Sequence, residues 1–464
     1  MTTVAAYGSY LELLGALLTA PAPWSYTSDH NVRNAMLAQA PVEVERPMNA
    51  HSAAPNVFEA GLPTFSYDLT ATPHDVLEDV RRAQSQSPIA IGPLGPEILS
   101  YELAREMLRD SRFRLPPGIT LAAQGITSGP LFDKMATSLL GLDGASHVRL
   151  RKLVSRAFTP RATSRLQETI HEVVNGLIDR VMDAGRCDVV ADIAYQYPTP
   201  IMCALLGAPR EDWQLFADWT EEVFKALNFQ PDVNFDEAAI MRAWGELDAY
   251  VDDMVADRRG NLAEDLLSEL IRAESDGERL NLDELRMLVA GFLMAGTDTT
   301  RNQLAASVQV LCDHPDQWAK LRDHPELAMQ AVEESMRHSP AACIVPRAAT
   351  DDVEFAGYMF PAGTFVLANT FAANRDPAIY DDAERFDITR NDVPAILTFG
   401  GGAHYCLGAN LARRELAEAL TVLTQRLPAP HRVGPAPWKP LLGMTGPTTL
   451  EIEFETKVLV TANA

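Results

Sequence analysis

The residues best suited to chemistry lie in one run, Phe399-Gly400-Gly401-Gly402-Ala403-His404-Tyr405-Cys406-Leu407-Gly408. Three consecutive glycines permit torsions and close approaches that are closed to other residues. The spacing starts a helix at Cys406, where free backbone N–H groups and the helix dipole favour a thiolate. A thiolate so placed can ligate a haem iron, and N–H bonds to its sulfur would tune the potential. His404, two residues earlier, is placed to reach a haem propionate. A lone cysteine is ordinarily a small buried hydrophobe; the glycines and the histidine set this one apart. The other four, Cys187, Cys203, Cys312 and Cys343, are widely spaced and form no CxxC or Cys/His zinc pattern. That usage fits a reducing compartment.

A second run, Ala295-Gly296-Thr297-Asp298-Thr299-Thr300, falls inside the longest helical pattern. Gly296 weakens that helix locally and Thr299 can bond an upstream carbonyl, which predicts a kink or groove. An acid followed by an alcohol suits proton delivery, with Asp298 relaying from solvent and Thr299 passing protons on through water. Elsewhere in a sequence such a run would be a solvated helix face. A third cluster, Glu334-Ser335-Met336-Arg337, places acid and base at i and i+3, a pair worth about 0.2–0.5 kcal/mol at a surface. A fourth is His147-Val148-Arg149-Leu150-Arg151 with the separate Arg347; His147 and Arg151, four apart, share a helix face.

Phe399–Gly408 resembles the haem-binding signature Phe-Gly-x-Gly-x-His-x-Cys-x-Gly of the cytochromes P450 at every fixed position, Phe399 and Gly408 included. The resemblance extends over roughly residues 60 to 455, in the family's order. It implies a mainly α fold with small β-sheets, and haem b held between a long central helix and the loop of its ligand Cys406. It also implies that Ala295 lies beside the haem and that Asp298 and Thr299 belong to the oxygen-activation motif. His147, Arg151, Arg347 and His404 become the propionate donors. Glu334 and Arg337 become a buried pair behind the cysteine loop, joined by Arg385 of Ala383-Glu384-Arg385-Phe386. Ala383 stands where the family more often has proline.

The activity implied is monooxygenation: one atom of O2 enters an organic substrate and the other leaves as water. No flavin or iron–sulfur motif follows the haem region, so electrons from NAD(P)H would arrive through a separate ferredoxin or flavodoxin and its reductase. A basic stripe of Arg149, Lys152 and Arg156, with Arg413 and Arg414, is the expected docking patch. A peroxide-driven peroxygenase or a redox-neutral catalyst would use the same haem, but neither needs the relayed protons that Asp298 and Thr299 suit. A haem sensor finds no support in a regulatory or DNA-binding segment.

Several elements must position these groups. The chain has 464 residues, 47% hydrophobic and 22% charged, a net charge of −24 and a pI near 4.8. That excess of acid repels nucleic acid and anionic membrane and favours solubility. Residues 1–59 read as an N-terminal extension, a short amphipathic helix carrying Leu11, Leu14 and Leu18 followed by a linker, and residues 60–464 as the haem domain. The apolar stretch Val4–Thr19 is too short to span a bilayer and lacks the basic start of a secretory signal, so a cytoplasmic monomer is expected. Predicted helices run over His147–Ala157, Ala162–Ala184, Cys187–Leu206, Arg210–Leu227, Phe235–Arg259, Leu262–Ser275, Asn281 to His314, Leu327–His338 and Cys406–Arg426. Substrate contacts are expected from the loop Leu115–Gly129, the Phe224–Phe229 region, Gly291, Met294, Cys343, Ile344, Val345 and the Met444–Thr445 turn. Most are apolar, which implies a hydrophobic substrate such as a lipid, terpenoid, steroid or polyketide.

Overall fold

The structure, a computed structural model, describes residues 54–455 apart from 116–117, 119–120, 122–125, 228–235, 276–279 and 392. The amphipathic helix and nearly all of the linker expected before residue 60 lie outside the described residues.

The helix Leu282–Asp313 runs through the centre of the molecule. At 1.5 Å per residue it is about 48 Å long. Asn281 starts it through a capping box: its Oδ1 accepts from the Glu284 N–H at 2.8 Å, and Glu284 Oε2 accepts from the Asn281 N–H at 3.1 Å. The His314-Pro315 pair ends it, since proline disfavours the helical conformation in the residue before it. Leu285, Leu288, Val289, Phe292, Leu304 and Leu311 are buried around its circumference, as a core helix requires. The helix is unbroken at Gly296. A Cβ there would come within 2.5 Å of the Met202 sulfur, so the glycine is a notch that lets the helix Pro198–Leu206 approach.

Around this axis pack the helices Pro198–Leu206, Glu237–Gly260, Ala328–His338 and Ala409–Arg426, with Gln167–Val181 packed on the last of them. Among the described residues, three small sheets complete the fold. The largest has the order β1(Ile89–Gly92)-β2(Gly95–Ile98)-β8(Phe365–Asn369)-β5(Ile344–Ala349)-β3(Phe113–Arg114). The others are β4(Arg186–Asp188)-β10(Glu451–Glu453)-β9(His431–Arg432) and the hairpin β6(Val353–Phe355)-β7(Tyr358–Phe360).

Several helices differ in extent from the sequence reading; the one expected from Leu262 starts at Leu266. Cys187–Leu206 is not one helix: Cys187 lies in β4, residues 189–194 form a π turn, and the helix starts at Pro198. Asp188 breaks the pattern, its carboxylate accepting from the N–H groups of Val190 and Leu450, each at 2.9 Å. The last helix begins at Ala409, with Gly408 as N-cap, so Cys406 precedes it instead of opening it. Finally, 160–166 is a string of short turns before the helix proper at Gln167.

Candidate active site: the cysteine loop and the central helix

The loop carrying Cys406 is closed by backbone bonds. The Gly400 N–H donates to the Leu397 carbonyl at 2.8 Å, and the Cys406 N–H donates to that of Phe399 at 2.9 Å. Gly400 and Gly402 are left-handed at φ +69° and +64°. At Gly402 a Cβ would fall onto the Leu108 carbonyl oxygen, at the end of the helix Tyr101–Met107, so only glycine fits. Burial pushes the Cys406 thiol up, while the Gly408 N–H and then Arg151 and Arg413 act in the opposite direction. The other four cysteines are buried, and burial pushes their thiols up to about 12, as suits inert apolar side chains. Arg413 lies 4.4 Å from the Phe399 ring centre and pairs with Glu333, bracing the loop from behind.

Beside the loop stands a set of nitrogen donors, two of them without a partner among the described residues. His147 and His404 stack with ring centres 4.3 Å apart. The His147 Nδ1 and His404 Nε2 atoms are buried without a partner among the described residues, whereas buried polar atoms are ordinarily hydrogen-bonded. Burial, then His147 and Arg347, holds His404 down to about 4. Arg347 is buried, donates to the Pro346 carbonyl at 2.7 Å, and is pushed down to about 10 by burial. Arg151 donates to the Tyr405 carbonyl and lies on the Cys406 side. Together these groups fit a ligand bearing carboxylates, as the two propionates of haem would supply.

On the central helix, Gly291, Ala295 and Thr299 recur every fourth residue. Ala295 is exposed and the other two are partly so, although Met294, Thr297 and Asp298 beside them are buried. The stripe therefore borders open space, and a Cβ at Gly291 would meet nothing within 4 Å. The Thr299 hydroxyl donates to the Ala295 carbonyl at 2.8 Å. Asp298 points about 100° away around the helix. Its carboxylate accepts from Arg301 at 2.7 Å, and the Arg301 guanidinium lies 5.1 Å from the Tyr195 ring centre. Tyr195 in turn donates to Glu221 at 2.6 Å. Lys439 donates to Asn302 at 2.8 Å; burial draws its pKa down while Asp298 acts in the other direction. Sequence reasoning missed this network. Arg301, three residues after Asp298, was findable from spacing; Tyr195, Glu221 and Lys439 were not.

The Glu-Arg cluster is buried as expected but has a different third member. Glu334 accepts from Arg337 at 2.7 and 2.9 Å and from the Asp387 N–H at 2.9 Å. The second arginine against it is Arg390, at 3.3 Å, in place of Arg385. Arg385 is 62% exposed and pairs with Asp387. Phe386 is buried against His314 and His338, while Arg385 closes the turn from Asp382 with its side chain outward. Thr398 ties this cluster to the cysteine loop by donating to the Met336 carbonyl at 3.0 Å.

Of the expected pocket wall, Ile344, Val345 and Met444 are partly exposed. Cys343 is fully buried among Val76, Val80 and Phe371, and Thr445 is fully buried with its hydroxyl on the Lys439 carbonyl at 2.8 Å. Neither can line a pocket. Much of Leu115–Gly129 and the end of Phe224–Phe229 lie outside the described residues. In the basic stripe, Arg149 pairs with Glu284 and Arg414 donates to Gln167, while Lys152 and Arg156 are exposed.

Comparison with known proteins agrees with this architecture. Residues 129–431 match the family described as Cytochrome P450. The chain is 38% identical over 394 residues to luteothin monooxygenase of Streptomyces thioluteus, covering 84% of this chain and 94% of that protein. It is 34% identical to the cytochrome P450 monooxygenase PikC of Streptomyces venezuelae over 83% of this chain and 90% of that one. Among solved structures it resembles CalO2, with a TM-score of 0.76, 30% identity, and coverage of 84% and 100%. The chain belongs to the cytochrome P450 family. It is a P450 monooxygenase, and membership implies the use of haem and O2. No helix among the described residues is long and apolar enough to cross a membrane.

Proposed function

We propose that this P450 uses Cys406 as its haem ligand and inserts one oxygen atom into a hydrophobic small organic substrate, with electrons from a separate ferredoxin or flavodoxin. The observation that carries this reading is the conjunction of the glycine-built Cys406 loop with buried nitrogens on His147 and His404 that lack a partner among the described residues. Haem bound there would supply a redox-active iron able to activate O2. His147, His404 and Arg347 would hold its carboxylates by charge-assisted bonds. Burial raises the Cys406 thiol, and the Gly408 N–H, then Arg151 and Arg413, work against it in the direction of the thiolate that ligation requires.

The remaining steps belong to this chain's own side chains. The Thr299 hydroxyl, on the open stripe, donates to the Ala295 carbonyl and offers its oxygen as hydrogen-bond acceptor to a water that would carry the proton. Asp298, one residue before Thr299 on the helix, holds a carboxylate in reserve against Arg301. For that carboxylate to carry a proton inward it must exchange Arg301 for water, a rotation about its own side chain. Gly291 and Ala295, lacking bulk, leave room for substrate beside Thr299, while Ile344, Val345 and Met444 supply an apolar wall that excludes water. Exposed Lys152 and Arg156 offer cations to an acidic electron donor. The enzyme acts as a cytoplasmic monomer, and the N-terminal 59 residues form an extension to the haem domain.

The test is the absorption spectrum of the reduced protein under carbon monoxide. A long-wavelength Soret band is expected, and Cys406→Ser removes it. Haem uptake with the same Soret position in that variant overturns the ligand assignment. Product formation with ferredoxin, reductase and NAD(P)H, compared with hydrogen peroxide, tests the electron source; faster turnover with peroxide alone refutes it.

A further inference from the structure

Glu97, on β2, is fully buried in the largest sheet without a cation beside it. Its two oxygens are divided between two donors: the Tyr67 hydroxyl at 2.9 Å on Oε1 and the Asn369 amide at 2.8 Å on Oε2. Asn369 is fixed in turn, because its own oxygen accepts from the Ala372 N–H at 2.9 Å. Space for the carboxyl is made by Gly92 on β1, where any Cβ would collide with Glu97 Oε1. This carboxyl is therefore seated in a fitted site that ties three stretches of chain together.

Tyr67 belongs to the stretch 62–71, which runs along the edge of the sheet. Backbone bonds that hold it include the Phe65 N–H to the Ile91 carbonyl at 3.1 Å, the Ile91 N–H to Pro63 at 2.9 Å, and the Leu441 N–H to Ala71 at 2.8 Å. Tyr67 and Leu69 cover Leu94, Leu115, Leu367 and Leu442, with Ile344 packed alongside. Leu115 opens the loop expected to contact substrate, and Ile344 lies on the pocket wall. Lifting this stretch would thus open the flank of the pocket. We propose that Tyr67, Glu97 and Asn369 form a proton-operated fastener that holds residues 62–71 over the sheet.

The sign follows from the surroundings. Strands β1 and β8 bring no charged residue to Glu97. Arg347 on β5 pairs with Val366 while Glu97 pairs with Leu367, so the arginine faces the other side of the sheet. Asp68 is exposed and occupied with Thr70, and on the neighbouring helix Asp79 pairs with Arg82. Burial, against the two hydrogen bonds, raises the Glu97 carboxyl from 4.5 to about 7. With the stretch lifted, water reaches the carboxyl and its pKa returns toward the ordinary value. The closed form binds the extra proton, so closure is fully favoured below the ordinary carboxylate pKa and weakens as pH rises through about 7. The device does not depend on what the site binds or on Cys406 as ligand.

The test is hydrogen exchange of the Phe65 and Ile91 amides in the haem-loaded protein, corrected for intrinsic rates. Between about pH 5 and about pH 8 their protection is expected to fall by roughly tenfold or more, within a ceiling of about 300-fold for such a shift. Glu97→Gln, which cannot ionise, should hold protection constant across that range. A pH-independent protection in the natural protein, or the same fall in Glu97→Gln, overturns the proposal. Tyr67→Phe supplies a second test if Glu97→Gln does not accumulate. It removes the donor and keeps the acid, so protection at the lower pH must drop; unchanged protection there overturns the proposal too.

Discussion

Replacing Arg390 by methionine should destabilise the protein far more than the same change at Arg385. Arg390 is 12% exposed and faces Glu334, itself 3% exposed, at 3.3 Å. It also donates to the carbonyls of Asp381 at 2.8 Å, Asp382 at 3.1 Å and Arg385 at 3.0 Å. Removing one partner of a buried ion pair costs about 3–5 kcal/mol when the other charge is left uncompensated. Glu334 keeps two bonds from Arg337 and one from the Asp387 N–H, so the pair itself falls below that range. The three lost bonds to carbonyls add about 0.5–1.5 kcal/mol each where they are shielded from water, toward the lower end for Asp382 and Arg385, whose carbonyls keep the Arg385 N–H and Arg337 as donors. A total near 3 kcal/mol is the expectation for Arg390→Met. Arg385, 62% exposed, makes one ion pair to Asp387, and exposed pairs contribute about 0–1 kcal/mol. Urea unfolding of both variants, followed by tryptophan fluorescence with the slope held common, gives the two losses. Equal losses, or a larger loss at Arg385, would refute the assignment of the buried partner.

Gly402→Ala should cost several kcal/mol and impair haem retention, because it meets the Leu108 backbone as well as the left-handed torsion. Gly400→Ala, with no neighbour closer than 4.0 Å, should cost only the torsional penalty of about 1–2 kcal/mol; thermal unfolding separates them. Arg347→Met should stabilise the haem-free protein by removing a buried charge that no carboxylate bonds, yet speed haem transfer to apomyoglobin; slower transfer contradicts the propionate role. Thr299→Ala should leave electron consumption high while product per electron falls; intact coupling refutes the relay. Lys152→Glu with Arg156→Glu should slow reduction by ferredoxin at low ionic strength, the difference shrinking as salt rises; salt-independent rates refute the docking patch.

What was legible in the sequence was local. The helix start near Asn281, the Asp298-Thr299 pair inside that helix and the glycine run before Cys406 are each contained within a few turns of chain, so spacing alone reported them. Three features escaped for one reason: they depend on which way a side chain faces once distant segments meet. Arg385 sits in the more familiar motif, but it closes a turn with its side chain outward and leaves its place to Arg390. Cys343 is adjacent to the partly exposed Ile344 yet points into a different cluster. Lys439 and Tyr195 reach the neighbourhood of Asp298 from opposite ends of the sequence. Glu97 escaped for another reason, since an acid in a short strand reads as an edge residue until Gly92, Tyr67 and Asn369 are seen around it.

The seat of Gly402 against the Leu108 carbonyl has a consequence for variation in this protein. The helix that ends at Leu108 is clamped at its other end, where the Tyr101 N–H donates to Asp376 at 2.8 Å and the Tyr101 hydroxyl to the Ala395 carbonyl at 2.6 Å. A residue gained or lost between Ser100 and Phe113 therefore has no slack in which to disappear. It would tilt the shelf on which the cysteine turn rests, nearly three hundred positions downstream. Length changes that homologues tolerate in surface loops should thus be absent from this short stretch, and any that occur should be matched by changes beside Gly402.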